Sequence, residues 1–303
     1  MWRFVQITDP HLGSLTDGTW NNRFLCTMMP DVMRCLRRDL AKLEPEFILA
    51  TGDLASQPTR DAVFAARDFM DWLGYPYFPM GGNHDFVVEK SREWFREAYQ
   101  AHLPSDSIHY SFDHKNLHFS VLDPYWKWTD GSLHEFPETV LNDVMHTKDG
   151  RPHWAVPPEQ LAWLDEDLSR NADRPTLVAC HYPAIKIPER VARPGLMDSG
   201  ELDNGDEVVA VLQRHPQVRA IFSGHFHMHI VEQDNGFAHV ITGALPEYPT
   251  EFRDVRVFDD RVEVEAVSLS DPSFAARSLV PGQGWTAGNA SDRSTTIPLT
   301  WRK

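Results

Sequence analysis

The chain has 303 residues, 42% of them apolar and 24% charged, a balance that supports a large hydrophobic core and excludes a disordered chain. Lys and Arg number 29 against 44 Asp and Glu, a net charge of −15, which argues against a protein held on nucleic acid by a broad basic face. The three cysteines, Cys26, Cys35 and Cys180, cannot form a disulfide framework, and no apolar run is long enough for a membrane span, so a reducing, cytoplasmic setting is expected.

In chain order, Trp2–Thr8 reads as a buried strand. Residues 30–43 place Val32, Met33, Leu36, Leu40 and Leu43 at helical intervals behind Pro30. A second strand, Phe47–Ala50, runs into Gly52-Asp53, a second helix covers 60–73, and Tyr75–Met80 runs into Gly82-Asn83-His84-Asp85. Strand, helix, strand, helix, strand is the pattern of parallel strand pairs covered by helices. Further on, Tyr110–Phe112 and Leu117–Leu122 read as paired strands and 158–169 as a helix. Thr176–Cys180 is a strand ending at His181, 206–214 is helical, and Ala220–Ser223 is a strand ending at Gly224-His225-Phe226-His227. Phe237–Thr242, Val255–Phe258 and Val262–Val267 are expected as strands. These elements are taken as one catalytic domain over 1–270, with 271–303 an extended arm or poorly ordered tail. Residues 123–157 carry Tyr125, Trp126, Trp128 and Trp154 and exceed an ordinary connection. They form either a flap packed on the body, or a lid over a site or a dimer contact.

Asp9-Pro10-His11, Gly52-Asp53, Gly82-Asn83-His84-Asp85, His181 and Gly224-His225-Phe226-His227 each follow a strand. Strand ends of α/β sheets are where loops converge on a site. Any one block alone is a turn, a helix cap or a structural histidine; the ordered set of five points to metal. Carboxylate, imidazole and amide oxygens suit first-row metals. In an extended segment the two ligands of D-x-H or H-x-H point to one side, and Asp53 can bridge two ions with its two oxygens. His229 and His239 are expected as exposed strand histidines.

These blocks, in this order from residue 9 to residue 227, resemble the calcineurin-like metallophosphoesterase superfamily. The stretch from Thr51 to Asp85 and the stretch from Leu196 to His227 resemble its cyclic-nucleotide phosphodiesterase and glycerophosphodiesterase branch. The resemblance covers roughly 1–245 and implies an αββα sandwich, two mixed sheets flanked by helices. It implies that Asp9, His11 and His227 hold a first metal, that Asp53 bridges, and that Asn83, His181 and His225 complete a second. The ions would be iron, manganese or zinc. His84 would stand over the phosphate, steadying the transition state or protonating the leaving oxygen, with Asp85 orienting it. The reaction implied is hydrolysis of a small phosphodiester by a metal-bound hydroxide. The alternatives are a phosphomonoesterase of the same superfamily or a non-catalytic scaffold. One departure is noted: the outer carboxylate frequent after Gly-Asp is absent from Gly52-Asp53-Leu54-Ala55-Ser56. A small phosphoester is the expected partner, nucleic acid is not, and the aromatic insertion and tail suggest a homo-oligomer.

Overall fold

In the strand Trp2–Ile7, alternation sends Trp2 and Phe4 to one face and Val5 and Ile7 to the other, and both faces are buried. A strand buried on both sides needs a layer on each side, and the computed structural model has them. It describes the chain apart from residues 58, 87, 89, 128–130, 135–152, 198–199, 235 and 301–303. One six-stranded sheet runs Ser294–Pro298, Arg261–Ser268, Glu251–Val257, Trp2–Ile7, Ile48–Thr51, Tyr77–Met80, the last three parallel. The other runs Ile230–Asp234, Phe237–Ile241, Val218–Ser223, Thr176–Ala179, Leu117–Val121, Tyr110–His114, with four central parallel strands between antiparallel edges. The sheets pack face to face: the Phe4 ring of one meets Phe119 and Phe222 of the other, with ring centroids 5.6 and 6.1 Å apart. Helices cover the outer faces, so the architecture is the αββα sandwich. Among the described residues no helix is long and apolar enough to cross a membrane.

The helices form where the spacing predicts them. Arg60–Leu73 buries Val63, Ala66, Met70 and Leu73, starts at Thr59, whose hydroxyl accepts the Ala62 N–H, and stops at Gly74 with φ +82°. Such a cap contributes about 1 kcal/mol, and the left-handed stop costs glycine little. The helix Ser91–Tyr99 escapes the sequence pattern because its polar residues do structural work: Arg92 is buried and grips the Asp123 carboxylate through two bonds of 3.0 and 3.1 Å.

The stretch 271–300 folds onto the body instead of extending as an arm or tail. It forms the helix Ser273–Ser278, a short helix Ala290–Arg293 and the edge strand Ser294–Pro298, with Phe274, Ile297 and Leu299 buried. Three well-spaced apolar side chains and the Asn289–Asp292 capping box suffice to fold an otherwise polar segment onto a sheet edge. The ends of the insertion also pack on the body. Tyr125–Lys127, Leu133–His134 and Trp154–Ala155 make a small sheet in which Trp126 and Trp154 are buried edge to face. Trp128 and most of the insertion's tip lie outside the described residues.

His118 supplies a pH-dependent tie between the strand Leu117–Val121 and the helix Pro158–Arg170. Its Nδ1 is 2.7 Å from Asp113 and its Nε2 3.0 Å from Asp167, which also accepts bonds from Ser111 and Ser120. Burial pushes the His118 ring down, but the bonds to Asp167 and Asp113 win and its pKa rises. Burial pushes Asp167 up, but the His118 and Ser120 bonds win and its pKa falls. A raised imidazole contributes stability that is complete below about pH 6.5 and fades as pH climbs through its folded pKa. A depressed carboxyl contributes above about pH 4 and is lost on acidification. His118→Gln should therefore cost about 1–3 kcal/mol near pH 6, a gap from the wild type that narrows by pH 9; thermal melts across pH measure it.

Candidate metal centre

Five parallel strands end at the candidate ligands: Trp2–Ile7 before Asp9 and His11, Ile48–Thr51 before Asp53, Tyr77–Met80 before Asn83, Thr176–Ala179 before His181, and Val218–Ser223 before His225 and His227. Three strands come from one sheet and two from the other, so the centre sits where both sheets open at one edge. Gln6 shares the inter-sheet face with Trp2 and Phe4 and is buried at the bottom of this opening. Its amide donates to Thr51 Oγ1 at 3.0 Å and to the Ser223 carbonyl at 3.2 Å, and accepts from Thr242 Oγ1 at 2.7 Å. That network ties the strand ends of both sheets together beneath the ligands.

Six of the ligand side chains converge in two groups that share Asp53. Asp9, His11, Asp53 and His227 place donor atoms within 4.8 Å of one another, as do Asp53, His181 and His225. Asp53 Oδ2 stands 3.6 Å from His11 Nε2 and 3.5 Å from His181 Nε2. Its Oδ1 accepts the His84 N–H at 2.8 Å, so one oxygen rather than two faces both groups. Asn83 opens the short helix Asn83–Phe86 in the same turn, and its Oδ1 is buried.

The pairing of ligands two residues apart does not come from extended backbone. Asp9, His11, Asp53, His225 and His227 all have left-handed φ, between 42° and 67°. Each non-glycine residue held so costs about 1–3 kcal/mol, which the surrounding bonds must offset. Asp9 Oδ2 accepts from Thr8 Oγ1 at 2.6 Å and from the His225 N–H at 3.1 Å, and Asp9 N–H and His11 N–H donate to the carbonyls of Gly52 and Asp53. The glycines before the ligands answer to crowding: a Cβ on Gly52 would strike the His181 ring, and one on Gly224 would strike Thr8 and Asp9.

The donor set fits metal. His11 Nε2, His181 Nε2 and Asn83 Oδ1 are buried with no hydrogen-bond partner among the described residues. A buried lone pair without a partner costs free energy that a cation recovers. His181 donates Nδ1–H to the Thr51 carbonyl at 2.8 Å, which leaves Nε2 as the ligating atom. Burial pushes Asp9 up, but His181 and His227 outweigh it and hold the carboxyl at about 2; Asp53 is held well below the usual range in the same way, against its burial, by His181 and His84. Burial pushes His181 and His227 down, yet the facing carboxylates raise them to about 9 and about 10. Burial prevails at His225, lowered to about 3, and at His11, lowered well below its ordinary value. A cation that takes the imidazole lone pairs must displace the protons on His181 and His227, so cation binding weakens as pH falls.

The two remaining candidates divide. His84 is exposed at the mouth, its ring edge-on to His11 at 4.5 Å, with Nδ1 3.2 Å from the Ser56 carbonyl. Among the described residues, Asp85 makes no hydrogen bond to the His84 ring. The Asp85 carboxylate accepts the N–H groups of Leu54, Ala55 and Gly82, at 3.1, 2.8 and 2.9 Å, and so locks the Asp53 loop to the Gly82 turn. Burial, then the neighbouring Asp53, pushes Asp85 up to about 7.

His229 and His239 are not exposed; both are buried. The strand Phe237–Ile241 is covered on both faces, and His229 sits between the Gly243 N–H and the Glu251 carboxylate, with burial lowering it to about 4. Sequence reasoning missed Glu247, whose Oε2 accepts from His227 Nδ1 at 2.7 Å. No spacing or motif marks it, since it stands in a turn 20 residues beyond its partner.

A family model described as calcineurin-like phosphoesterase matches residues 3–229. The chain is 26% identical over 242 residues to the 3′,5′-cyclic adenosine monophosphate phosphodiesterase of Haemophilus influenzae, covering 80% of this chain and 76% of that one. It is 25% identical over 284 residues to the 3′,5′-cyclic-nucleotide phosphodiesterase of Nostoc sp., covering 93% and 89%. It is also 25% identical over 226 residues to a protein of Arcobacter nitrofigilis named "probable glycerophosphodiester phosphodiesterase", covering 74% and 71%. The fold of a dimetal phosphatase from Danio rerio superposes with a TM-score of 0.70 at 19% identity, covering 99% of each chain. With its buried Asp and His groups at the converging strand ends, this chain belongs to the calcineurin-like phosphoesterase family.

Proposed function

We propose that the protein hydrolyses small phosphodiesters of the cyclic-nucleotide or glycerophosphodiester type. The observation that carries this is the pair of buried ligand groups sharing Asp53. Asp9, His11, Asp53 and His227 would hold one first-row ion and Asp53, Asn83, His181 and His225 the other, with iron, manganese and zinc all suited to the donors. Bound there, such a pair would supply an acidified water and positive charge against the phosphoryl oxygens. The chain's own residues do the rest. His84, hydrogen-bonded at Nδ1 to Ser56, keeps Nε2 for the leaving oxygen and acts there as general acid. Asp85 ties the Gly82 turn, next to Asn83, to the Asp53 loop. Names of the relatives support a diester over a monoester substrate.

The test is a substrate panel on protein reconstituted with Mn²⁺, with metal measured on the same sample. It comprises bis(p-nitrophenyl) phosphate, p-nitrophenyl phosphate, 2′,3′- and 3′,5′-cyclic nucleotides and a glycerophosphodiester. The expected result is a kcat/KM for at least one diester at least about tenfold above that for the monoester, a difference of about 1.4 kcal/mol in transition-state binding. Turnover of p-nitrophenyl phosphate alone, or no turnover with two ions bound, would overturn the proposal.

A further inference from the structure

Glu247 is fully buried, and both of its oxygens have donors. Oε2 accepts the Nδ1–H of His227 at 2.7 Å and Oε1 accepts the backbone N–H of Asn22. With Nδ1 spent on Glu247, His227 turns Nε2 toward Asp9 Oδ1, 3.2 Å away. The Phe24 ring stacks on His227 at 5.2 Å, so the imidazole is fixed in its plane and across it.

The same loop is gripped from the other side by the C-terminal segment. Asn22 Nδ2 donates to Thr286 Oγ1 at 3.0 Å and to the Gln283 carbonyl at 3.3 Å, and Asn22 Oδ1 accepts the Val280 N–H at 2.8 Å. Thr286 Oγ1 donates to the Tyr248 carbonyl at 3.1 Å. Ser278 Oγ accepts the Tyr248 N–H and donates to the Arg23 carbonyl, both at 2.6 Å. Residues 278–286 thus bracket the 22–23 loop and the 247–248 turn at once. The 247–248 turn and residues 278–286 lie beyond residue 229, where the family match ends.

We propose that Glu247 is the positioning residue for His227, and that residues 278–286, through Asn22, hold Glu247 in place, so that the C-terminal segment is part of the metal centre. The inference rests on the dinuclear reading above. A carboxylate on the far nitrogen of a ligating imidazole sets its tautomer, aims the ring and raises its basicity. Both positions facing Glu247 are N–H donors. An amide there satisfies one of them and sets its own NH₂ against the other.

The experiment titrates Mn²⁺ into wild type, Glu247→Gln and Asn22→Ala by electron paramagnetic resonance, with thermal melts in chelator as a control for folding. Glu247→Gln should weaken one Mn²⁺ site about 10–100-fold and leave the other within about threefold. Asn22→Ala should weaken the same site by a smaller factor, about three- to tenfold for its lost hydrogen bonds. Wild-type affinity in Glu247→Gln overturns the inference. A wild type that fails to bind two ions overturns the dinuclear reading instead. Should Glu247→Gln not fold, histidine ¹⁵N–¹H spectra of Zn²⁺-loaded wild type decide, with His227 identified by loss of its signals in His227→Asn. The proton belongs on His227 Nδ1 and the metal on Nε2; the reverse overturns the inference.

Discussion

Asp53→Asn lowers kcat/KM on bis(p-nitrophenyl) phosphate by about 10³-fold or more and lowers metal content below two ions per chain. The substitution keeps size and shape but removes the charge that both ligand groups share through Oδ2. Against their burial, Asp53 and Asp9 raise His181 to about 9, and Asp9 and Glu247 raise His227 to about 10. Losing one carboxylate removes the attraction that gathers cations there. Several kcal/mol of charge stabilisation lost from a two-ion site amounts to three or more powers of ten at about 1.4 kcal/mol each. The damage has a second route, because Oδ1 accepts the His84 N–H at 2.8 Å. An amide turned the wrong way faces that donor with its NH₂, and the His84 turn loosens. Metal analysis and kinetics on one sample check this. Two ions retained with kcat/KM within tenfold of wild type would remove Asp53 from its assigned place.

His84→Ala separates chemistry from metal binding. The His84 ring is exposed at the mouth and is absent from both convergent ligand groups. Metal content should stay near two ions while kcat falls about 10²–10⁴-fold, the usual contribution of a positioned general acid. The loss should shrink for a diester whose leaving group is as acidic as p-nitrophenol, which departs without a proton, and be largest for an alkoxide leaving group. Comparing bis(p-nitrophenyl) phosphate with a glycerophosphodiester measures that difference. If the ions leave with the ring, His84 is a ligand and the role given to it is wrong. Asp85→Asn is a useful contrast. Asp85 holds three backbone N–H groups and makes no bond to His84, so its loss should disturb stability and metal together rather than the acid step alone.

Much of the sandwich is legible in the residue order because its signals are local. Val63, Ala66, Met70 and Leu73 repeat at helical spacing between a threonine cap and a glycine stop, and the helix occupies Arg60–Leu73. Short apolar runs that break into Asp, Asn or His mark strand ends, and five such ends carry the ligand blocks. What escaped were elements whose reasons are distant. The helix Ser91–Tyr99 carries a buried arginine that makes sense only beside Asp123, 31 residues on. The edge strand Ser294–Pro298 has one buried apolar residue and exists because Arg261–Ser268 offers it an open edge.

At the centre itself, the kinds of atoms were set by the sequence alone: carboxylate, imidazole and amide oxygens placed just past strands that must run parallel. Their arrangement was a matter of tertiary structure. Left-handed backbone at Asp9, His11, Asp53, His225 and His227, one facing oxygen on Asp53, three backbone donors on Asp85, and Glu247 behind His227 all depend on partners far along the chain. The physical reason is one of range. Periodicity and ligand type are properties of a few consecutive residues, whereas strain and hydrogen-bond pairing are settled only when separate loops share the same small, dry volume.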